Sequence, residues 1–301
     1  MHSVLTLIAD PDLRPLTRAD LDAVRRALPE TGTPAWLHDR AACDLTVDIH
    51  PEEVHAVEAA TRAALNALPI DVVAQPAANR RKHLLIADMD STVIRQECID
   101  ELADEAGIGP HIAEITERAM RGELAFEPAL RERVKLLEGL PEAKMAQVFR
   151  TRITLSPGVA TVTATMRLNG AFCALVSGGF TFFTSRVALD AGFDINLANV
   201  LEIENGHLTG TVREPILGRA AKLETLERLM AERAIERELT MAVGDGANDL
   251  AMIEAAGLGV AFHAKPVVAQ SAPARLDHTG LVSLLYIQGY HRDEFAAPQV
   301  Q

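Results

Sequence analysis

The feature that most constrains this chain is an apolar run, Leu84 to Ala87, that ends abruptly in two acids, Asp88 and Asp90. A short apolar run bounded by a turn signal is typical of a buried strand, and the functional sites of α/β proteins lie at the carboxyl ends of their strands. Two carboxylates this close repel each other unless a cation or a shared proton lies between them. The pattern favours a hard metal ion with oxygen ligands, most simply Mg²⁺.

A second apolar run, Leu239 to Val243, also ends in acids, within the segment Gly244-Asp245-Gly246-Ala247-Asn248-Asp249. The glycines permit tight turns and a close approach of the backbone to a ligand. Apolar residues with helical spacing follow from Leu250. We therefore expect Asp245 and Asp249 to add oxygen ligands to the same cation.

A third apolar run, Ala171 to Val176, ends in Ser177-Gly178-Gly179 and precedes a predicted helix over 180–190. Its hydroxyl and backbone N–H groups suit an anion at a helix N-terminus. Lys222 lies on a later predicted helix and offers a cation to a phosphate. Taken alone, Ser-Gly-Gly is usually a plain loop and a helix lysine is usually a solvated charge. Combined with the two acidic strand ends, they predict a phosphate site.

In their order along the chain, which is 88–92, 177–179, Lys222 and 244–249, these four motifs resemble those of the haloacid dehalogenase superfamily, whose phosphotransferases use an aspartate nucleophile. The resemblance implies that Asp88 is the nucleophile, that Asp90 is the general acid and base, and that Lys222 is a catalytic cation. It also implies that Mg²⁺ is bound by Asp88, the backbone carbonyl of Asp90, Asp245 and Asp249. The superfamily's dehalogenases and ATPases lack the second acid, so Asp90 implies phosphate-ester hydrolysis through an aspartyl-phosphate.

A closer resemblance, to the phosphoserine phosphatases of this superfamily, extends from about His83 to about Ile287. It is carried by the stretches 88–97, 119–127, 130–134, 176–180, 243–249 and 264–266. It implies hydrolysis of O-phospho-L-serine to serine and phosphate, the last step of serine biosynthesis. An alternative function that uses the same chemistry is that of a phosphatase or phosphotransferase for another small phosphate ester, such as phosphohomoserine. An amino-acid-sensing regulatory binding protein is a rival from another class, and the intact pair of Asp88 and Asp90 speaks against it.

The same resemblance implies a partner for each charged group of the substrate. Glu97 would receive the ammonium and Arg133 the carboxylate, because Arg presents a planar fork to a carboxylate. Without the family, both residues would be read as ordinary charges of solvated helices. Met120 and Phe126 would form the pocket wall. The phosphate would be bound by Ser177, Gly178, Gly179, Lys222 and Asn248.

The predicted fold of residues 83–290 is α/β, a doubly wound and mostly parallel sheet with a helical cap inserted at about 97–156. Helices of the cap are predicted near 97–106, 110–121, 126–138 and 141–150 from their apolar spacing. A cap of this kind excludes water and completes a site.

Residues 1–75 read as strand, helix, strand, strand, helix, strand, which predicts a small α+β, ferredoxin-like module. This order resembles an amino-acid-binding ACT-type regulatory domain, so an amino-acid effector and a homodimer formed through this module are the expected partners. A packing domain without a ligand explains the order equally well. Residues 76–82 are predicted to be a linker and residues 291–301 a tail.

The charge and cysteine content exclude some classes of protein. A formal charge of -13 argues against a nucleic acid or an anionic membrane as partner. The three cysteines, Cys43, Cys98 and Cys173, suit reduced core residues better than a disulfide framework. The apolar stretch Val4 to Ala9 is too short for a signal segment. We therefore expect a cytoplasmic enzyme with a small-molecule substrate.

Overall fold

The computed structural model describes residues 2–28, 30–48, 50, 53–120 and 123–298. Its N-terminal part is an antiparallel sheet in the order β2-β3-β1-β4, covered by two helices. The strand order and the alternation with helices confirm the predicted ferredoxin-like α+β class. The elements are β1 (His2–Ala9), α1 (Arg18–Ala27), β2 (Ala35–His38), β3 (Ala42–Asp48), α2 (Val54–Ala64) and β4 (Ile70–Pro76).

Helix α1 begins where the sequence predicts it, because its first turn is capped in both directions. The backbone N–H of Asp20 donates to Oγ1 of Thr17, and the Asp20 carboxylate accepts from the Thr17 backbone N–H. This reciprocal arrangement satisfies N–H groups that have no partner inside the helix.

The predicted cap follows the first strand of the second sheet. After β5 (Leu84–Ala87) the chain makes an irregular turn over Met89–Val93, in which Asp90 and Ser91 have non-helical backbone angles, and then forms a helical cap. The positions of the predicted cap helices are confirmed to within a few residues. The cap helices are α3 (Cys98–Ala106), α4 (Gly109–Met120), α5 (Phe126–Lys135) and α6 (Glu142–Arg152).

The remainder of the chain completes an α/β core. A two-stranded hairpin, β8 with β9, leaves this core and packs against the cap, where the Gly139 N–H donates to the Leu208 carbonyl at 2.8 Å. The elements are α7 (Val159–Leu168), β6 (Phe172–Phe180), α8 (Thr181–Ala191), β7 (Ile195–Asn199), β8 (Leu201–Glu204), β9 (His207–Val212), α9 (Arg219–Arg233), β10 (Thr240–Gly244), α10 (Leu250–Ala255), β11 (Leu258–Phe262), α11 (Pro266–Ser271), β12 (Ala274–Leu276) and α12 (Ser283–Ile287).

The six-stranded sheet has the order β12-β11-β10-β5-β6-β7, and every pairing in it is parallel. Alternate residues of β5 enter different cores: Leu84 and Ile86 pack in one hydrophobic cluster, Leu85 and Ala87 in another. Both faces are therefore buried, as the predicted doubly wound fold requires. Because β5 lies between β10 and β6, the ends of the three apolar runs meet at one edge of the sheet.

One local prediction is wrong. The helix predicted over 180–190 is confirmed as α8 (Thr181–Ala191), but the strand before it does not end at Val176, because β6 continues to Phe180. The Gly179 N–H donates to Oγ of Ser177 at 2.8 Å, and the pairing with β7 shifts register between Val176 and Phe180. Ser177-Gly178-Gly179 is thus an irregular strand end, not the N-terminus of a helix.

The two sheets are joined through buried polar contacts. Asp71, in β4, is fully buried and accepts hydrogen bonds from the backbone N–H groups of residues 277, 278 and 279 and from the Thr279 hydroxyl. Arg80 forms an ion pair with Asp44 at 2.6 Å and donates to the Ile287 carbonyl. Within the described part of the chain, no helix is long and apolar enough to span a membrane.

Candidate active site

The carboxylate of Asp88 sits directly past the end of β5 and is almost fully buried. Its Oδ1 accepts hydrogen bonds from its neighbour's backbone, Met89 N–H at 2.7 Å, and from Lys222 Nζ, also at 2.7 Å. Lys222 is itself buried on α9 and pairs with Asp249 at 2.5 Å. Burial alone would lower the pKa of Lys222, but the charges of Asp88 and Asp249 outweigh it and raise that pKa above the ordinary value. Lys222 is therefore a fixed cation beneath Asp88.

Asp90 is held between the first residue of the cap helix α3 and the end of β6. Its Oδ1 accepts from the Cys98 N–H at 2.8 Å, and its Oδ2 accepts from Oγ of Ser177 at 3.0 Å. Burial raises the pKa of Asp90, and the hydrogen bonds from Cys98 and Ser177 oppose that rise. A β-carbon at position 179 would lie 3.0 Å from Oδ2 of Asp90, so glycine makes room for this carboxylate. A carboxyl group held here with a raised pKa suits acid–base work.

Carboxylate oxygens of Asp88, Asp245 and Asp249 lie within 4.8 Å of one another. Burial raises the pKa of Asp245, and the charge of Asp249 adds to the effect. Burial likewise raises the pKa of Asp88, with Lys222 opposing. The acids thus outnumber the one buried cation among them, and a hard divalent ion with oxygen ligands would offset the excess of negative charge. This donor set fits a metal ion.

The members of this acidic cluster differ in how free their oxygens are. Asp249 is fully buried. Its Oδ1 accepts a hydrogen bond from Nζ of Lys222, and its Oδ2 accepts one from the Gly246 N–H at 3.0 Å. Asp245 accepts only a long hydrogen bond, 3.3 Å, from Oγ1 of Thr92 among the described side chains. Asp245 is therefore the more accessible ligand, whereas Asp249 holds Lys222 in place.

Asp88, Asp245, Asp249 and Lys222 form the floor of the site. Between this floor and the cap lies a cavity of about 320 Å³, large enough for a small molecule. Phe126, at the start of α5, closes one side of it. A β-carbon at Gly178 would lie 3.2 Å from Cζ of Phe126, so the ring rests directly on the bare backbone of β6. The lining includes the predicted residues Asp88, Asp90, Glu97, Phe126, Arg133, Ser177, Gly178, Gly179, Asp245 and Asn248.

Arg133 reaches this cavity from α5 and is half-buried. Its Nε donates to the Ala129 carbonyl at 3.3 Å, and no carboxylate of the described residues lies within 4.0 Å of its guanidinium. Burial lowers the pKa of Arg133, with the charges of Asp100 and Glu97 opposing. The fork of the guanidinium is therefore available to a ligand carboxylate.

Glu97 faces the same cavity from the N-terminal end of α3, and its Oε1 accepts from the Ser91 hydroxyl at 2.7 Å. Glu97 keeps an exposed surface and is at the same time part of the cavity lining. This partial burial, together with the charge of Asp90, raises the pKa of Glu97 to about 7. Near neutral pH the group exchanges between a neutral and an anionic form.

A family model for haloacid dehalogenase-like hydrolases matches residues 85–254, which include the acidic strand ends, Lys222 and the whole cap. The chain belongs to the haloacid dehalogenase-like hydrolases. A phosphoserine phosphatase of Archaeoglobus fulgidus is 42% identical over 243 residues, which are 80% of this chain and 70% of that protein.

Two solved structures resemble this haloacid dehalogenase-like hydrolase along nearly its whole length. A hydrolase of the same family from Salmonella enterica serovar Typhi has a TM-score of 0.83 at 32% identity and covers 98% of this chain and 99% of its own. A probable phosphoserine phosphatase from Vibrio cholerae, in unliganded form, has a TM-score of 0.79 at 34% identity, with 97% and 88% covered. The N-terminal module is thus shared with both structures.

The remaining predicted site residues lie beside the cavity, except for one whose side chain is outside the part of the chain that the structure describes. Lys222 and Asp249 are in the floor below it, and the side chain of Met120 is outside the described residues. Asp100 and Lys265 line the cavity but had received no role from the sequence. Asp100 could have been found, because it follows Glu97 by three residues and shares its helix face. Lys265 lies in the stretch 264–266 that carries the family resemblance, but only the fold shows that it lies beside Asp245.

Proposed function

We propose that this hydrolase is a phosphoserine phosphatase that acts through an aspartyl-phosphate on Asp88 and uses Mg²⁺. The observation that carries the proposal is the arrangement of Arg133 and Glu97 across the cavity from Asp88. A free guanidinium and a carboxylate on the cap side match the carboxylate and ammonium of an amino acid. The phosphate of the same molecule would then face the floor.

Asp88 is suited to attack phosphorus through Oδ2. Its Oδ1 is held by Met89 and Lys222, whereas Oδ2 accepts no hydrogen bond from the described residues. Attack forms the Asp88–phosphorus bond and expels the serine oxygen, and water then cleaves the intermediate. Two displacements replace one difficult hydrolysis.

Asp90 would protonate the leaving serine oxygen and then take a proton from the hydrolytic water. Its raised pKa favours the protonated form needed for the first half-reaction, and loss of that proton prepares the base for the second. The Ser177 hydroxyl and the Cys98 N–H fix its orientation.

Asp88 and Asp245 would hold Mg²⁺ through their carboxylates and Asp90 through its backbone carbonyl, with Asp249 close by. Bound there, the ion would supply positive charge to the phosphoryl oxygens. Lys222 adds a second positive charge from below, while Asn248 and the backbone of Gly178 and Gly179 border the phosphate position.

The partners of the N-terminal module stay predictions. A homodimer and an amino-acid effector are both inferred only from the ferredoxin-like order of its elements. A cytoplasmic location is likewise a prediction from the sequence.

A panel of substrates tests the proposed function. Phosphate release is measured with phosphoserine, phosphothreonine, phosphohomoserine, a sugar phosphate and an aryl phosphate, with Mg²⁺ and after chelation. We expect phosphoserine to give the highest kcat/KM and chelation to abolish activity. Arg133→Ala should lower kcat/KM for phosphoserine by roughly ten- to a hundredfold, since a charge-assisted contact contributes about 1.5–3 kcal/mol.

The aryl phosphate and a neighbouring residue are the controls. Hydrolysis of the aryl phosphate should change little in Arg133→Ala, because that substrate has no carboxylate. Lys135→Ala, on the same helix but paired at the surface with Glu138, should leave both substrates unaffected. A sugar phosphate preferred over phosphoserine, or equal losses on both substrates in Arg133→Ala, would contradict the proposal.

A further inference from the structure

Asp100 is an acid of the cavity that the mechanism leaves unused. It lies one helical turn after Glu97, since its backbone N–H donates to the Glu97 carbonyl at 3.1 Å. Both side chains line the cavity, and Arg133 faces them from α5. The cap side of the site therefore carries two acids and one cation.

Asp100 acts on Arg133 through space, not as an ion pair. Asp100 keeps an exposed surface, yet its partial burial raises its pKa, and the charge of Arg133 is the foremost effect opposing that rise. Conversely, Asp100 stabilises the charged form of Arg133 more than Glu97 does. Because the described structure has no ion pair within 4.0 Å between Asp100 and Arg133, the guanidinium fork stays open.

The charge balance of this side matters for a substrate pair that differs in one group. Phosphoserine brings an ammonium and a carboxylate to Glu97, Asp100 and Arg133. 3-Phosphoglycerate has the same skeleton with a hydroxyl in place of the ammonium, so it brings the carboxylate alone. Arg133 by itself would bind the carboxylate of either ligand. With Glu97 and Asp100 both ionised, the two negative charges outnumber the one positive charge of Arg133, so the cap side is net negative.

We propose that Asp100 is a specificity-determining residue, which together with Glu97 disfavours phosphate esters that carry a carboxylate without an ammonium. The inference rests on the proposed phosphoserine phosphatase function. Its physical basis is repulsion: an extra negative charge penalises the ligand that cannot neutralise it. Glu97 is the direct partner of the ammonium. Asp100 adds a negative charge that repels a carboxylate ligand lacking an ammonium.

The test compares kcat/KM for phosphoserine, 3-phosphoglycerate and an aryl phosphate at pH 8, in wild type, Asp100→Asn and Asp100→Ser. We expect the ratio of phosphoserine to 3-phosphoglycerate to fall about tenfold in both variants, mainly through KM. Such a change corresponds to about 1.4 kcal/mol. Hydrolysis of the aryl phosphate should stay within about threefold of wild type, and Asp100→Glu, which keeps the charge, should retain most of the preference.

Asp104→Asn is the matched control. Asp104 lies one turn further along α3 and does not line the catalytic cavity, so the ratio should not change. The inference is overturned if the ratio is unchanged in both uncharged Asp100 variants, or if Asp104→Asn lowers it equally. Loss of aryl phosphate hydrolysis in both variants would also overturn it, because Asp100 would then support the cap itself. A wild type that does not prefer phosphoserine would instead contradict the proposed function.

Discussion

At the scale of single residues, the acids of this site are distinguished by their partners. Asp88 forms an ion pair with Lys222. Asp90 accepts hydrogen bonds from the Ser177 hydroxyl and the Cys98 N–H, and Glu97 accepts one from the Ser91 hydroxyl. Burial raises the pKa of each carboxyl group and the named neighbours oppose that rise, so the acids differ in which groups hold them in place. The pKa of Glu97, raised to about 7, lies in the physiological range.

The titration of Glu97 predicts a pH-dependent affinity for phosphoserine. Because its pKa is raised, the group is neutral below about pH 7 and anionic above it, and only the anion attracts an ammonium. Its ionised fraction rises from about one tenth at pH 6 to about nine tenths at pH 8. We therefore expect KM for phosphoserine to fall several-fold over this interval. Steady-state kinetics across the interval measure the change.

Two comparisons isolate Glu97 in that experiment. A phosphate ester itself titrates near pH 6, so an aryl phosphate reports how much of the change comes from the phosphate alone. Glu97→Gln removes the titrating group and should make phosphoserine follow the aryl phosphate profile. An unchanged pH dependence of KM in Glu97→Gln would show that another group controls it.

At the scale of elements, sequence patterns predicted the parallel strands and the cap helices because their apolar spacing is local. The runs before Asp88 and Asp245 are buried strands, and the cap helices begin within a few residues of their predicted starts. The end of β6 was mispredicted, because glycines such as Gly178 fit a strand end as well as a turn. The packing of the β8–β9 hairpin on the cap was not predicted, since only tertiary contacts create it.

The contact between the cap and β6 predicts coupling between two elements. Gly178→Ala keeps the backbone N–H but sets a β-carbon 3.2 Å from Cζ of Phe126, so it should push α5 outward and lower kcat/KM about tenfold. In a Phe126→Ala background the same substitution should cost much less. Kinetics of both single variants and the double variant measure this coupling.

Gly218→Ala is the control for that cycle, because its β-carbon would lie at an ordinary 3.5 Å from Cδ1 of the same ring. It should change kcat/KM by less than about threefold. Additive effects of Gly178→Ala and Phe126→Ala would mean that the ring does not transmit the strain.

At the scale of the whole molecule, the two sheets are connected by more than a covalent linker. Asp71 of the N-terminal sheet is fully buried, and its oxygens accept from the segment that follows β12 in the catalytic core. Arg80 adds contacts from the residues between the sheets to both sides. Buried polar groups of this kind are costly to separate, so we expect the two parts to unfold together.

Asp71→Ala tests this coupling. Removing the carboxylate leaves the N–H groups of residues 277–279 without their acceptor, which should lower the free energy of unfolding by roughly 2–4 kcal/mol. Urea denaturation followed by circular dichroism measures it, and kcat/KM in native buffer should stay within about twofold, since Asp71 does not line the cavity. Asp277→Ala removes a half-buried ion pair with Arg275 but leaves the three backbone N–H groups their acceptor, Asp71, so it should cost less than about 1 kcal/mol. Equal midpoints for these two variants would mean that the N-terminal module is merely tethered to the core.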